Sequence, residues 1–356
     1  MLSIRVFFFG MPTVLSLPVL LEQLLKGESL NEQQATGLME AWLNDGLSPV
    51  QTGAFLAALR CRSPEAIELS AMARVLRAAA PLPCSHPGGF LVDTCGTGGD
   101  GADSFNISTA VAFTAASCGV RVAKHGNRSA SGKVGSADVL EGLGIQLSAP
   151  LDLVVSALDQ AGVTFLFAPG WHGSLARLAP LRRSLGVRTV FNLLGPLVNP
   201  LNPAAQVLGV AEPKLLLPMA GALKNLNLER AVVVHGHGGL DEASLSGVNQ
   251  LVVLENHQLR DESLDPSSMG LSHARITDLA GGDLQTNKQI LGEVLQGGGT
   301  KAQREVVALN TSLVLWSGGV VSDWRDGVEM ALSSLHAGAP WERLVALRHA
   351  LNPVAG

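Results

Sequence analysis

Asp93-Thr94-Cys95-Gly96-Thr97-Gly98-Gly99-Asp100-Gly101 is the stretch from which the rest of the chain is best read. It follows the short apolar strand Phe90-Leu91-Val92 and leads, through Ser104-Phe105-Asn106-Ile107-Ser108-Thr109, into a helical segment at 110–117 closed by Gly119. Glycines at this density let a strand-to-helix connection turn tightly and present backbone N–H groups to an anion. Asn106, Ser108 and Thr109 stand at the helix start, where free N–H groups and the helix dipole favour phosphate. The loop also satisfies G-x-G-x-x-G, but a dinucleotide site needs an acidic residue about 20 positions on. That region reads Arg121-Val122-Ala123-Lys124, which excludes it. No Gly-Lys-Ser/Thr ends the loop, which excludes a P-loop.

Working outward, strand and helix patterns alternate. Strands are expected at 120–123, 163–167, 207–210 and 231–235, and helices at 137–143, 151–161 and 214–226. That alternation implies an α/β fold with a mainly parallel central sheet covered by helices. Upstream, 18–80 reads as a helical block. Asn31 opens one helix, with Ala35, Leu38, Met39 and Trp42 on one face; Ser48-Pro49 opens the next; and Ser63-Pro64-Glu65 supplies an N-cap followed by a first-turn proline. Pro81, Pro83, Pro87, Gly88 and Gly89 form a breaker-rich linker. The expectation is a smaller N-terminal all-helical domain at 14–82 and an α/β domain at 88–356, with the segment at about 172–186 packing against the helices. Residues 1–13 read as an extension. The uncharged run at 6–21 follows Arg5 like a signal peptide, but Pro12 and Pro18 interrupt it and no A-x-A cleavage site follows. A second uncharged run, 306–322, is short of the ~20 apolar residues a membrane span needs and reads as a buried helix.

Composition agrees. Of 356 residues 47% are hydrophobic and 15% charged, so a large core can form and disorder of the whole chain is excluded. A net charge of −5 argues against a general nucleic-acid coat protein. Cys61, Cys84, Cys95 and Cys118 form no CxxC pair and read as reduced, mostly buried thiols of a cytoplasmic protein.

Three further segments carry chemistry. Lys124-His125-Gly126-Asn127-Arg128-Ser129-Ala130-Ser131-Gly132-Lys133 follows the second strand; from 121 to 137 there are four Lys/Arg and no Asp/Glu. Two adjacent strand ends, one Gly-rich and one basic, can clamp a polyphosphate. Asp241-Glu242 follows another strand and suits Mg²⁺, which takes one or two carboxylates plus phosphate oxygens; His235 and His237 lack a zinc ligand set and read as structural. The clustered arginines of Arg182-Arg183-Ser184-Leu185-Gly186-Val187-Arg188-Thr189 precede the rigid Asn192-Leu193-Leu194-Gly195-Pro196-Leu197-Val198-Asn199-Pro200, an arrangement suited to a carboxylate.

Taken together and in order, these motifs, with Gly135-Ser136-Ala137-Asp138-Val139-Leu140-Glu141 and Arg188-Thr189-Val190-Phe191-Asn192, resemble the anthranilate phosphoribosyltransferase family from about Leu20 to about Leu351. The resemblance implies transfer of phosphoribosyl from phosphoribosyl pyrophosphate to the amine of anthranilate in tryptophan biosynthesis, in a homodimer formed through the helical domain. By position it implies that Gly96, Gly99, Asp100, Ser104, Asn106, Ile107, Ser108, Thr109, Lys124, His125, Gly126, Asn127, Arg128, Ser129, Ala130, Ser131, Gly132 and Ser136 hold phosphoribosyl pyrophosphate. Gly96, Asn127 and Arg182 would contact anthranilate; Ser108, Asp241 and Glu242 would hold Mg²⁺, with two ions per subunit expected from the family; Lys124 and Arg128 would neutralise the departing pyrophosphate. One stretch departs: Trp171-His172-Gly173-Ser174-Leu175 stands where the family has Tyr-His-Pro-Ala-Met. Two rival readings are a pyrimidine nucleoside phosphorylase-like enzyme, whose glycine loop carries Lys-His where this chain has Thr94-Cys95, and a catalytically silent nucleic-acid binder, which would have eroded metal and phosphate motifs.

Overall fold

The structure, a computed structural model, describes residues 16–128 and 134–352. Ser129, Ala130, Ser131 and Gly132 of the expected donor site, and the extension at 1–13, lie outside the described residues.

Four helices come first: α1 (Leu17–Leu25), α2 (Glu32–Leu43), α3 (Pro49–Arg60) and α4 (Ala66–Ala78). Asn31 and Ser48 close capping boxes with Gln34 and Gln51, which satisfies amide groups at both helix starts. The fourth helix starts later than Ser63-Pro64 suggests: its N-cap is Glu65, whose N–H donates to Glu68 Oε2. Glu68 is buried and paired with Arg62, and this local pair overrides the Ser-Pro signal.

The sheet is built from β1 (Leu91–Gly96), β2 (Arg121–Gly126), β3 (Val163–Phe167), β4 (Ala205–Gly209), β5 (Arg230–His235), β6 (Asn249–Glu255) and β7 (Gln258–Leu264), in the order β3-β2-β1-β4-β5-β6-β7. The first five run parallel; β6 and β7 are antiparallel. Between the strands lie α5 (Ile107–Ser117), α6 (Ser136–Gly142), α7 (Leu151–Ala161), α8 (Ala168–Trp171), α9 (Ala179–Leu185), α10 (Val190–Leu194) and α11 (Leu216–Asn225). Helices α12 (Leu284–Leu295), α13 (Lys301–Ser317), α14 (Trp324–His336) and α15 (Ala339–Leu351) end the chain. Helix α13 is the buried helix expected from the uncharged run; among the described residues no helix is long and apolar enough to cross a membrane.

Strand side chains alternate between two cores. Val232 and Val234 pack with α5 and α13 on one face, while Ala231 and Val233 pack with the N-terminal helices and α11 on the other. Helix α9 packs against α3, and Arg177 pairs with Asp45 at the end of α2. The cysteines depart from expectation: Cys61 is exposed and the other three are half-buried, all as free thiols.

Candidate functional site

Strand order reverses at β1, which has β2 on one side and β4 on the other. Ligands of open α/β sheets sit in the crevice beyond the strand C-termini at such a switch point. There the register sets Gly96 opposite Gly209. A Cβ on either would fall on Asp241, which the missing side chains seat between β1 and β4. Gly98 donates to Asp241 Oδ2 at 2.6 Å, so the glycine loop is tied to the acidic loop after β5.

Asp241 does not stand alone. Carboxylate oxygens of Asp100, Asp241 and Glu242 lie within 4.8 Å of one another. Asp241 is buried, and Glu242 Oε2 is buried without a partner. Burial, reinforced by Asp100, pushes the Asp241 carboxyl up to about 6. Glu242 is pushed well above the usual carboxylate range by burial and then by Asp241. Crowded, desolvated carboxylates with an orphaned oxygen are the donor set a hard divalent cation stabilises, so the residues fit Mg²⁺. Ser108, at the first turn of α5, accepts instead from Lys124 Nζ at 3.2 Å.

Lys124 is 3% exposed, and its ammonium also donates to the Thr94 carbonyl at 2.7 Å. Burial lowers its pKa, and Cys95, Asp93 and the two acids after β5 oppose that shift. Beneath it Asp93 accepts from His125 N at 3.1 Å and from Asn199 Nδ2 at 2.9 Å, while Asn199 also donates to the Ala123 carbonyl at 2.7 Å. This buried brace joins β1, β2 and the 195–201 loop. Asn199→Ala is expected to cost about 3 kcal/mol of stability, because it strands a buried carboxylate and a buried carbonyl; chemical denaturation measures it, and a loss below 1 kcal/mol would remove the brace from the account.

His125 Nδ1 donates to the Gly195 carbonyl at 3.1 Å and His172 Nε2 to that of Val198 at 2.9 Å, with the rings edge-to-face at 5.3 Å. Burial, then His172, drives the His125 pKa down to about 3, so the ring is neutral with an unpartnered Nε2. In the departing stretch Trp171 is fully buried, and nothing lies within 4 Å of where a Gly173 Cβ would be.

The other expected residues are placed as follows. Ile107 and Thr109 are buried at the start of α5, Asn106 donates to the Val134 carbonyl at 3.0 Å, and Ser104 bridges to Ala280. Gly126 is pressed between Phe165 and Ser136, and Ser136 donates to the Asn127 carbonyl at 3.3 Å. Arg128 pairs with both Asp138 and Glu141 and stacks 5.6 Å from the Phe167 ring, so two carboxylates already balance its charge. Arg182 lies 5.2 Å over the Phe191 ring, and among the described residues it has no hydrogen-bond or ion-pair partner. His235 and His237 bond to the Val210 carbonyl and to Ser246.

The sequence places Asp100 with the donor but not beside the two acids, gives no role to Asp93 or Asn199, and groups Arg188 with the carboxylate-binding arginines, whereas it donates to the Thr97 carbonyl. The signal for Asp100 was its place at the turn of the glycine loop. Only the parallel register shows that this turn faces the loop after β5.

The family model "Glycosyl transferase family, helical bundle domain" matches residues 18–80, and "Glycosyl transferase family, a/b domain" matches 88–340. The chain is 70% identical over 341 residues to the anthranilate phosphoribosyltransferase of Synechococcus sp. (strain RCC307), covering 96% of this chain and 99% of that one. The chain belongs to the anthranilate phosphoribosyltransferase family. The Prochlorococcus marinus (strain MIT 9313) family member is 66% identical over 337 residues, 95% of this chain and 96% of that one. Among solved members, the Thermus thermophilus enzyme superposes with a TM-score of 0.86 at 39% identity, covering 94% of this chain and 99% of that one. The Saccharomyces cerevisiae enzyme in complex with PRPP and Mg superposes with a TM-score of 0.82 at 25% identity, covering 97% and 100%. The chain is thus a pentosyltransferase of glycosyltransferase type, with a helical domain joined to a mostly parallel α/β domain.

Proposed function

We propose that the crevice beyond β1, β2 and β5 transfers 5-phosphoribosyl from phosphoribosyl pyrophosphate to the amine of anthranilate, releasing pyrophosphate. The observation that carries this assignment to these residues is the Asp100–Asp241–Glu242 cluster, with Asp241 buried at its centre and tied to the glycine loop through Gly98. Asp241, Glu242 and Asp100 would hold Mg²⁺, with Ser108 in the first turn of α5 as a further ligand, and the family resemblance implies two ions per subunit. When bound, Mg²⁺ supplies positive charge to the pyrophosphate oxygens.

The chain's own groups do the rest. Glycine-loop N–H groups and the start of α5 receive phosphate, with Ser104, Asn106, Ile107, Ser108, Thr109 and the loop from Lys124 to Ser136 around the donor. Buried Lys124 adds a fixed positive charge at the floor. Arg128 serves the leaving group once phosphate competes with Asp138 and Glu141 for it. Gly96, Asn127 and Arg182 receive anthranilate, its carboxylate on the unpartnered guanidinium. The aryl amine is unprotonated at neutral pH, so no strong base is needed before attack. Buried, neutral His125 ties β2 to the Gly195 carbonyl, and catalysis is mainly positioning and leaving-group stabilisation.

The helical unit is 14–82, with the segment at about 172–186 packing against it, and the α/β unit is 88–356. Exposed Val19 and Leu25 on α1 and Val50 on α3 support a homodimer through the helical unit. The functional setting is tryptophan biosynthesis in the cytoplasm. Equimolar loss of anthranilate and release of pyrophosphate tests the reaction; turnover of a nucleoside with free phosphate instead would sink it.

The raised acids add a pH dependence. In the metal-free protein Asp241 holds its proton up to about pH 6, and Mg²⁺ must displace it. Apparent Mg²⁺ affinity is expected to fall about tenfold per pH unit below 6, and to keep rising above 6 until Glu242 has also ionised. The Mg²⁺-induced rise in thermal midpoint at pH 5 and pH 7.5 measures this; an equal rise at both counts against it.

A further inference from the structure

Arg188 lies on the strap between the two substrate sides. Helix α9, which carries Arg182, ends at Gly186 with φ of +66°, and Thr189 caps α10. Between them Arg188 reaches behind the glycine loop and donates from Nη2 to the Thr97 carbonyl at 2.9 Å. The other end of that same peptide group is the Gly98 N–H, which donates to Asp241 Oδ2 at 2.6 Å. One peptide plane is therefore gripped at its oxygen by a cation and at its hydrogen by a carboxylate. The cradle is specific: a Cβ on Gly99 would fall on the Arg188 guanidinium. Arg188 is half-buried, and among the described residues it has no ion-pair partner within salt-bridge distance.

A glycine at 98, with φ of +66°, does little to resist rotation of the peptide before it. Rotation would turn the N–H away from Asp241 and bring a carbonyl oxygen toward three carboxylates. We propose that Arg188 is a positioning residue for the metal-binding acids. By holding the Thr97 carbonyl it keeps the Gly98 N–H on Asp241, and so sets the orientation in which Asp241 meets a divalent cation. This rests on the reading of Asp100, Asp241 and Glu242 as the metal site. Outer partners of a ligating carboxylate are typically worth about 10–100-fold in metal affinity.

The test is Mn²⁺ binding to the substrate-free protein, followed by the loss of the free-ion electron paramagnetic resonance signal. Wild type is expected to bind, and Asp241→Asn to lose binding. Arg188→Met is expected to raise the Mn²⁺ Kd about tenfold, and Arg188→Lys, which keeps charge but not the planar fork, to recover only part. At saturating metal the KM for anthranilate should stay at the wild-type value in Arg188→Lys. Arg188 variants that bind Mn²⁺ like wild type, whatever their thermal midpoint, overturn the proposal while leaving the metal site standing. Should Arg188→Met not fold, the Arg188→Lys Kd decides alone. Failure of wild type to bind, or unchanged binding in Asp241→Asn, overturns the metal reading and the proposal with it.

Discussion

Replacing Asp241 by Asn and Glu242 by Gln together is expected to lower kcat/KM by about 10³-fold or more, and to raise the thermal midpoint of the metal-free protein. The two effects share one cause. Three carboxylates stand within 4.8 Å of one another in a largely desolvated seat. Burial and mutual repulsion lift Asp241 to about 6 and Glu242 further. The folded protein carries that cost until a cation arrives. Amides of the same shape remove the repulsion and the cation site together. Charge stabilisation by a bound metal is worth several kcal/mol, and each 1.36 kcal/mol is tenfold in rate. Steady-state kinetics and melting curves with and without Mg²⁺ measure both effects. Activity within tenfold of wild type, or a midpoint that still rises with Mg²⁺, would remove these acids from the site.

Arg182→Ala is expected to lower kcat/KM for anthranilate by about 10–100-fold and to leave the KM for phosphoribosyl pyrophosphate near its wild-type value. The guanidinium is already oriented, stacked 5.2 Å over Phe191, which in turn packs 5.4 Å from Trp42 of the helical bundle. It meets no carboxylate of the protein among the described residues, so its hydrogen-bonding fork is available to one from a substrate. A hydrogen bond to a charged group contributes about 1.5–3 kcal/mol, which sets the expected range. Equal loss toward both substrates would mean that Arg182 holds α9 in place rather than a ligand.

Much of this was legible in the chain before any coordinates. Glycine density after a strand, Ser/Thr/Asn at the next helix start, and a basic loop after the second strand place an anion site at strand ends, because those residue types have few other reasons to cluster there. The β6–β7 hairpin has no such signal. Its turn, Asn256-His257, has both residues at positive φ and lacks the glycine that usually announces such a turn. The strands themselves, Asn249–Glu255 and Gln258–Leu264, differ sharply in burial, so no single pattern spans them. The helices α12, α14 and α15 were also unread. The meeting of Asp100 with Asp241 was beyond reach for another reason. The two are 141 residues apart, and only the pairing of Gly96 with Gly209 brings their loops together. The same holds for Arg188 and Thr97: a half-exposed arginine in a short connection carries no local sign that it grips a backbone carbonyl elsewhere.

The most direct test of the central claim is the loss of anthranilate fluorescence on adding phosphoribosyl pyrophosphate to the purified protein, with and without Mg²⁺. The predicted result is Mg²⁺-dependent consumption of anthranilate that stops when either substrate is withheld. Protein that is folded and binds phosphoribosyl pyrophosphate, yet leaves anthranilate untouched in Mg²⁺, would contradict the account and send the phosphoribosyl group to a different amine.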